Sequence, residues 1–495
     1  MVVVVPAVGV SALVVLPAVY LIVRVAEAGW ETIGSALLRP RTVELLWNTV
    51  RLAGAVTALS VILGVGLAWC VTHAIGRGRP MVITLLAAPL AIPSYVSGFV
   101  WVRMVPGFEG FGAAVLVLTL ACYPLIMLPT IAALSGVGRS AEDVARTLGS
   151  DKLRTFLRVT VPRIRGSVAA GALLVALYTI SDFGGPAIVR FEPFTVGIYN
   201  AYNGSFDRSV AAVYGCVLAV MAIVLATSER VARPREAVIA QADRGRSVQP
   251  SAWSWLCVVT IVGLGVVFPI VGLCTEIAES QRVNVSFADL MPAAWATLSL
   301  SVQAAAVITV LAIPVALYTA APRTRLGSVV ETSTYIGYAL PGITVGLSLV
   351  FIGIRLVPQW YQTVGLLIAA YAVLFLPVCV GPLRSSLDST SRTVGEVAQT
   401  LGAGPASTIL RVSLPAAAPG VLAGAAMVCL SVAKELPATL MLAPLGTRTL
   451  AADMWSLNND LSYGQSAVAG LTLIAVSSLP MVALSSLLSR REAAG

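Results

Sequence analysis

Glu142-Asp-Val-Ala-Arg-Thr-Leu-Gly149, then nine residues, then Val159-Thr-Val-Pro162 is a stretch that the chain writes twice. The second copy reads Glu396-Val-Ala-Gln-Thr-Leu-Gly402, nine residues, Val412-Ser-Leu-Pro415. Each predicts a short helix, a break and the start of a second helix. Thr393 and Glu396 have capping-box spacing, and Ser140 and Asp143 approximate it in the first copy. Gly149 and Gly402 permit the turn, and the prolines suit the first turn of the next helix. Such a helix lies across a membrane face with one side free to dock. The repeat extends outward. Trp47-Asn-Thr-Val50 matches Trp295-Ala-Thr-Leu298, and Pro93 matches Pro341, both 248 residues on. Pro124, Pro129 and Gly149 match Pro377, Pro382 and Gly402 at 253, an insertion of five residues explaining the change.

The rest of the chain is apolar. Of 495 residues, 58% are hydrophobic and 11% charged, with a mean hydropathy of +0.90; soluble domains carry roughly 25% charged residues. Runs long enough to cross a bilayer fall near 2–23, 50–72, 81–104, 112–134, 161–181 and 209–227. A second set falls near 253–275, 295–320, 328–354, 364–383, 415–433 and 464–489. The expected fold is an all-α polytopic membrane protein of about 12 transmembrane helices. A soluble enzyme and an outer-membrane barrel are excluded, the latter because its strands would alternate. The first run lacks a basic n-region and an A-x-A site, so it reads as a retained span.

Six spans per half bring both halves into the membrane from the same side, a parallel repeat. The first half covers 1–228, with its polar loop at about 139–162. A linker, 229–252, carries Arg230, Arg233, Arg235, Arg244 and Arg246, and the second half covers 253–495, with its loop at about 392–415. With the N-terminus inside, 21 of the 32 Lys and Arg residues fall in inside loops, which places both termini and the linker in the cytoplasm. The net charge of +9 therefore reports topology, and nucleic acid is not an expected partner. The seven cysteines are odd in number, irregular in spacing and set in apolar runs, unlike a disulfide frame or a metal knuckle. His73, the single histidine, lies at a span end beside Arg77 and Arg79, an interfacial position.

The duplicated stretch resembles the EAA loop of bacterial ABC importer permeases, E-A-A-x3-G-x9-I-x-L-P, with its spacings intact. The resemblance implies a fused, two-half, type I importer permease of the bacterial plasma membrane. It assigns ATPase coupling to Asp143, Ala145 and Gly149 in the first loop and to Glu396, Ala398 and Gly402 in the second. Asp143 stands for the first Glu, Val144 and Val397 for the middle Ala, and Val159 and Val161 for Ile and Leu. The implied partners are two copies of an ATPase subunit and an extracytoplasmic solute-binding protein. Neither lysine, Lys152 after Asp151 or Lys434 after Ala433, fits a Walker A loop. ATP and magnesium are thus expected on the partner, and no cofactor or fixed metal in this chain. There is also no H-E-x-x-H or G-x-S-x-G to suggest an enzyme.

Ionisable residues at span ends are the candidates for a pathway. Ser181-Asp-Phe-Gly-Gly-Pro186 and Lys434-Glu-Leu-Pro437 follow corresponding spans, and Asp182 and Glu435 match at 253. Local ion pairing of Lys434 with Glu435 is an equal reading. The two segments resemble those of the ferric-iron branch of fused permeases. Ferric ion favours carboxylate and phenolate oxygens, which Asp182, Glu435, Tyr199 and Tyr202 offer. Permeases for thiamine or another small cation are similar, and an ion-gradient-driven secondary transporter of parallel-repeat type is the alternative in a different class.

Overall fold

The computed structural model describes every residue except 1–2, 74, 76–77, 137–143, 146, 205–207, 233–251, 281–286, 321–323, 390–399, 401–403 and 495. Most of the expected linker, and Asp143, Glu396, Ala398 and Gly402, lie outside the described residues. Within them the fold is helical, without a strand. The helices used below are α1 (Val4–Leu37), α2 (Pro40–His73), α3 (Arg79–Ala87), α4 (Ser94–Met104) and α5 (Gly110–Cys122). Next come α6 (Pro124–Gly136), α7 (Val161–Ser181), α8 (Gly184–Ile188), α9 (Ala252–Val262) and α10 (Phe287–Ala320). The last are α11 (Arg325–Ala339), α12 (Gly342–Arg355), α13 (Val364–Ser389), α14 (Ala418–Ala433) and α15 (Pro437–Leu442). Among the described residues, eight helices are long and apolar enough to cross a membrane, and up to ten if each of two bent pairs counts as one span. The last apolar run lies in helix Tyr463–Ala494. All seven cysteines are free.

The chain divides into two compact units, each described by itself. Unit 1 is Met1–Leu38, Ile198–Val220 and Thr275–Gly495, and unit 2 is Arg39–Gly197 and Met221–Cys274. In unit 1, α1 supplies Ala7, Val10 and Val14 to a buried cluster with Ala304, Ile308, Leu349 and Tyr371 from α10, α12 and α13. In unit 2, Val258 of α9 joins Leu67 and Val71 of α2 and Tyr123, Met127 and Ile131 around α6.

Two of the expected spans are broken, and at repeat-related prolines. The run 81–104 bends by 86° between its halves. Ile92 (φ −89°, ψ 118°) leaves the helix, and Pro93 (φ −59°, ψ 144°) precedes α4. The run 328–354 divides in the same way, with Leu340 at φ −73°, ψ 127° and Pro341 at φ −61°, ψ 143° ahead of α12. A proline disfavours helical dihedrals in the residue before it and removes an N–H, which permits such a break. It does not compel one, since Pro129, Pro377 and Pro382 sit inside continuous helices. A second bent pair, Ile409–Ala416 with Ala418–Ala433, turns by 66°.

Helix contacts repeat with the sequence. A Cβ on Gly171 of α7 would stand 2.8 Å from the Ile126 Cα and the Leu125 carbonyl oxygen. One on Gly424 of α14 would stand 2.9–3.1 Å from Cys379 Sγ, O and Cα. Both residues of each contact are 253 apart between the units. Among apolar tails there is little hydrophobic drive between helices, so close backbone approach through small residues supplies the contact. One related contact differs in kind. Arg384 of α13 pairs with Glu331 of α11 at 2.6 Å, whereas the matching positions in unit 2, Ile131 and Ile83, lie in one apolar cluster.

Because the atoms facing Gly424 include backbone, they do not yield to a larger side chain. Gly424→Leu is expected to overpack the α13–α14 contact by about 1–3 kcal/mol. Thermal unfolding of the detergent-purified protein checks this, and an unchanged midpoint would show that the helices separate freely there.

Candidate functional site

Each unit places one acid at the break in its bent helix. In unit 2, Asp182 follows α7. Its Oδ2 accepts a hydrogen bond from the Ser94 hydroxyl at 2.6 Å, and its Oδ1 accepts the Gly185 N–H at 2.9 Å. Ser94 is the residue directly after Pro93. Asp182 thus caps α8 and ties it to the first turn of α4. The Tyr178 hydroxyl hydrogen-bonds with the same Ser94 and Asp182 side chains, and Thr195 Oγ1 donates to the Asp182 carbonyl at 2.9 Å.

Unit 1 repeats the plan with a longer acid. Glu435 follows α14 and is 9% exposed. Its Oε1 accepts the Ala438 N–H, and its Oε2 accepts the Thr439 N–H and hydroxyl, all at 3.1 Å. Glu435 therefore caps α15. A buried carboxylate is tolerable where several donors meet it, and here they do. Tyr371 extends the network through the Thr439 hydroxyl at 2.7 Å. At the position matching Ser94 stands Gly342, and a Cβ there would lie 2.6 Å from Glu435 Oε1. The shorter acid meets a serine, and the longer acid meets the space that a glycine leaves. Gly98 and Gly346, also 248 apart, face the short helices next along: Gly98 toward Ile188, Gly346 toward Ala438 and Met441.

The Trp-x-Thr segments acquire a role that their sequence did not disclose. The Thr49 hydroxyl donates to the Leu45 carbonyl at 2.8 Å and accepts the Phe194 N–H at 2.9 Å. The Thr297 hydroxyl donates to the Ala293 carbonyl at 2.8 Å and accepts the Leu450 N–H at 2.9 Å. Each threonine holds the start of the helix that follows its unit's short helix. Unit 2 adds further ties to this segment: Asn48 donates to the Glu192 carbonyl at 2.9 Å, Arg41 pairs with the Glu192 carboxylate, and Arg51 stacks on Phe111 and Phe191.

The remaining pathway candidates, Tyr199, Tyr202 and Lys434, all lie in unit 1. Tyr199 meets Trp455 edge-on with ring centroids 6.2 Å apart, and half-buried Tyr202 packs against the apolar core of unit 1. Lys434 adjoins Glu435 at the end of α14. Among the described residues, no three His, Cys, Asp or Glu side chains gather closely enough to hold a metal ion. His73 stacks on Trp69 with ring centroids 5.1 Å apart.

In the first duplicated loop, Ala145 and Gly149 are described. Gly149 has φ +87°, and the Ser150 N–H returns to the Ala145 carbonyl at 3.0 Å, the six-to-one bond of a Schellman turn. Asp151 then accepts the Arg154 N–H through its side chain at 2.8 Å. Val144 and Leu148, one turn apart, are 57% and 81% exposed.

Residues 50–237 and 312–493 each match the family described as binding-protein-dependent transport system inner membrane component. An Fe(3+)-transport system permease protein of Haemophilus influenzae is 30% identical over 479 residues, covering 95% of both chains. A molybdate/tungstate transport system permease protein of Pyrococcus furiosus is 28% identical over 190 residues, 37% of this chain and 76% of its own. A sulfate transport system permease protein of Escherichia coli is 26% identical over 196 residues, 36% of this chain and 67% of its own.

Proposed function

The chain belongs to the family of inner-membrane components of binding-protein-dependent transport systems, and on that footing we propose that its cargo is ferric iron. It is a multi-pass permease of an ATP-driven importer, so its partners are an ATPase and a solute-binding protein. One observation carries the iron reading. The iron permease of Haemophilus influenzae aligns along 95% of both chains, fusion included, whereas the oxyanion permeases cover little more than a third of this one. The carboxylates of Asp182 and Glu435 enter this reading through the fold that they hold together, since their oxygens accept hydrogen bonds within each unit.

The finer assignments are part of the same proposal. Two ATPase copies engage the two duplicated loops, and both termini and the linker lie in the cytoplasm, as the excess of basic residues in those loops favours. The first loop supports docking by its chemistry: Val144 and Leu148 offer an exposed apolar pair beside the Gly149 turn. Hydrolysis belongs to the ATPase, and this chain converts its closure into movement of helices.

Reconstituted with its ATPase and binding protein, the chain is expected to take up radiolabelled iron(III) in an ATP-dependent manner, and not thiamine, molybdate or sulfate. Uptake of one of those solutes alone would replace the cargo and leave the importer assignment standing. Uptake that proceeds without ATPase and collapses with the proton gradient would remove both. Gly149→Val forces a β-branched residue into left-handed backbone at about 1–2 kcal/mol. Uptake should fall about tenfold while ATP hydrolysis continues; unchanged uptake would show the turn to be dispensable for coupling.

A further inference from the structure

The acid, the residue after the proline and the short helix form a matched set in each unit. Asp182 with Ser94, and Glu435 with Gly342, occupy related positions, yet both members of the pair differ between the units. The distance to be spanned is conserved by exchange. Where the acid is one methylene shorter, a hydroxyl reaches back to it at 2.6 Å; where it is longer, the opposing Cβ is missing and would otherwise stand 2.6 Å from Oε1. In both, the carboxylate also accepts N–H groups at the start of the short helix, with the Thr439 hydroxyl added in unit 1. A cargo ligand would carry no such correlation with the residue across the break.

We propose that Asp182 and Glu435 are positioning residues, which fasten α8 to α4 and α15 to α12 so that each short helix and the helix beyond the break move as one piece during transport. The flanking contacts fit this role. Gly98 and Gly346 bring the same two elements close together a turn further on. The acid is flanked by Tyr178, one turn earlier on α7, in unit 2, and by the Thr439 hydroxyl, which Tyr371 of α13 meets at 2.7 Å, in unit 1. The same acid also caps its short helix, so a change in its length disturbs both elements at once. The inference does not depend on which solute is carried.

Exchange of the pairs between units tests it, with two readouts: thermal stability of the detergent-purified chain, and binding-protein-stimulated ATP hydrolysis of the reconstituted complex, which needs no assumption about cargo. D182E alone brings the longer acid against Ser94, and S94G alone removes its donor; each should lower stimulated hydrolysis about tenfold. The double variant D182E/S94G copies the Glu435–Gly342 arrangement and should return to within about twofold of the parent. In unit 1, G342S should be similarly impaired and E435D/G342S restored. If the acids instead serve as cargo ligands, D182E retains function and D182N loses it whatever stands at 94. That pattern, or double variants no better than their worse singles in both units, overturns the proposal. Failure of iron uptake with intact exchange behaviour would refute the cargo and not this inference.

Discussion

A carboxylate placed among membrane-spanning helices must find its hydrogen-bond donors inside the protein, because lipid supplies none. Asp182 and Glu435 meet that demand with backbone N–H groups that a helix start leaves unpaired. The solution has a structural consequence. A short helix must begin within reach of the acid, and the bent helix alongside must pass close enough to be tied in. In unit 2 the tie is the Ser94 hydroxyl, and in unit 1 it is the fit of Glu435 over Gly342. Around these points the threonines of the Trp-x-Thr segments fix the next helix start, and Gly171 and Gly424 set how closely the long helices approach.

Much of this was legible beforehand, for identifiable reasons. Long apolar runs mark spans because a helix is the spanning form that satisfies its own backbone. The duplication was legible because prolines and glycines act on the backbone, so that their spacing survives when the side chains between them drift. The Schellman turn at Gly149 follows from the same reasoning, as only glycine takes φ +87° without strain.

Other features were not legible. Pro93 and Pro341 break their helices, whereas Pro129 and Pro377 do not, and nothing local to a proline separates the two outcomes. The two breaks stand beside acids some 90 residues away in sequence, Asp182 and Glu435. The membership of α1 in unit 1 was equally hidden. An apolar helix face is as compatible with lipid as with another helix, so hydropathy cannot name its neighbour. The acids themselves stood out, but as candidates for cargo. Their ties to Ser94, Gly185, Ala438 and Thr439 became visible only with the backbone in place.

For an importer the matched sets suggest where motion is rigid. A helix that breaks in the membrane is a natural place for movement, yet here each break lies beside an acid that meets the start of a short helix and beside a close crossing, with a hydroxyl tie added in unit 2. Bending would then be transmitted past the break to the elements around it. Direct observation of the assembled transporter by electron microscopy, nucleotide-free and ATP-bound, tests this most plainly. The account predicts that the Asp182–Ser94 contact and the approach of Glu435 to Gly342 stay within about 3.5 Å in both states, while other helices shift. Separation of either pair beyond about 5 Å in one state would contradict it.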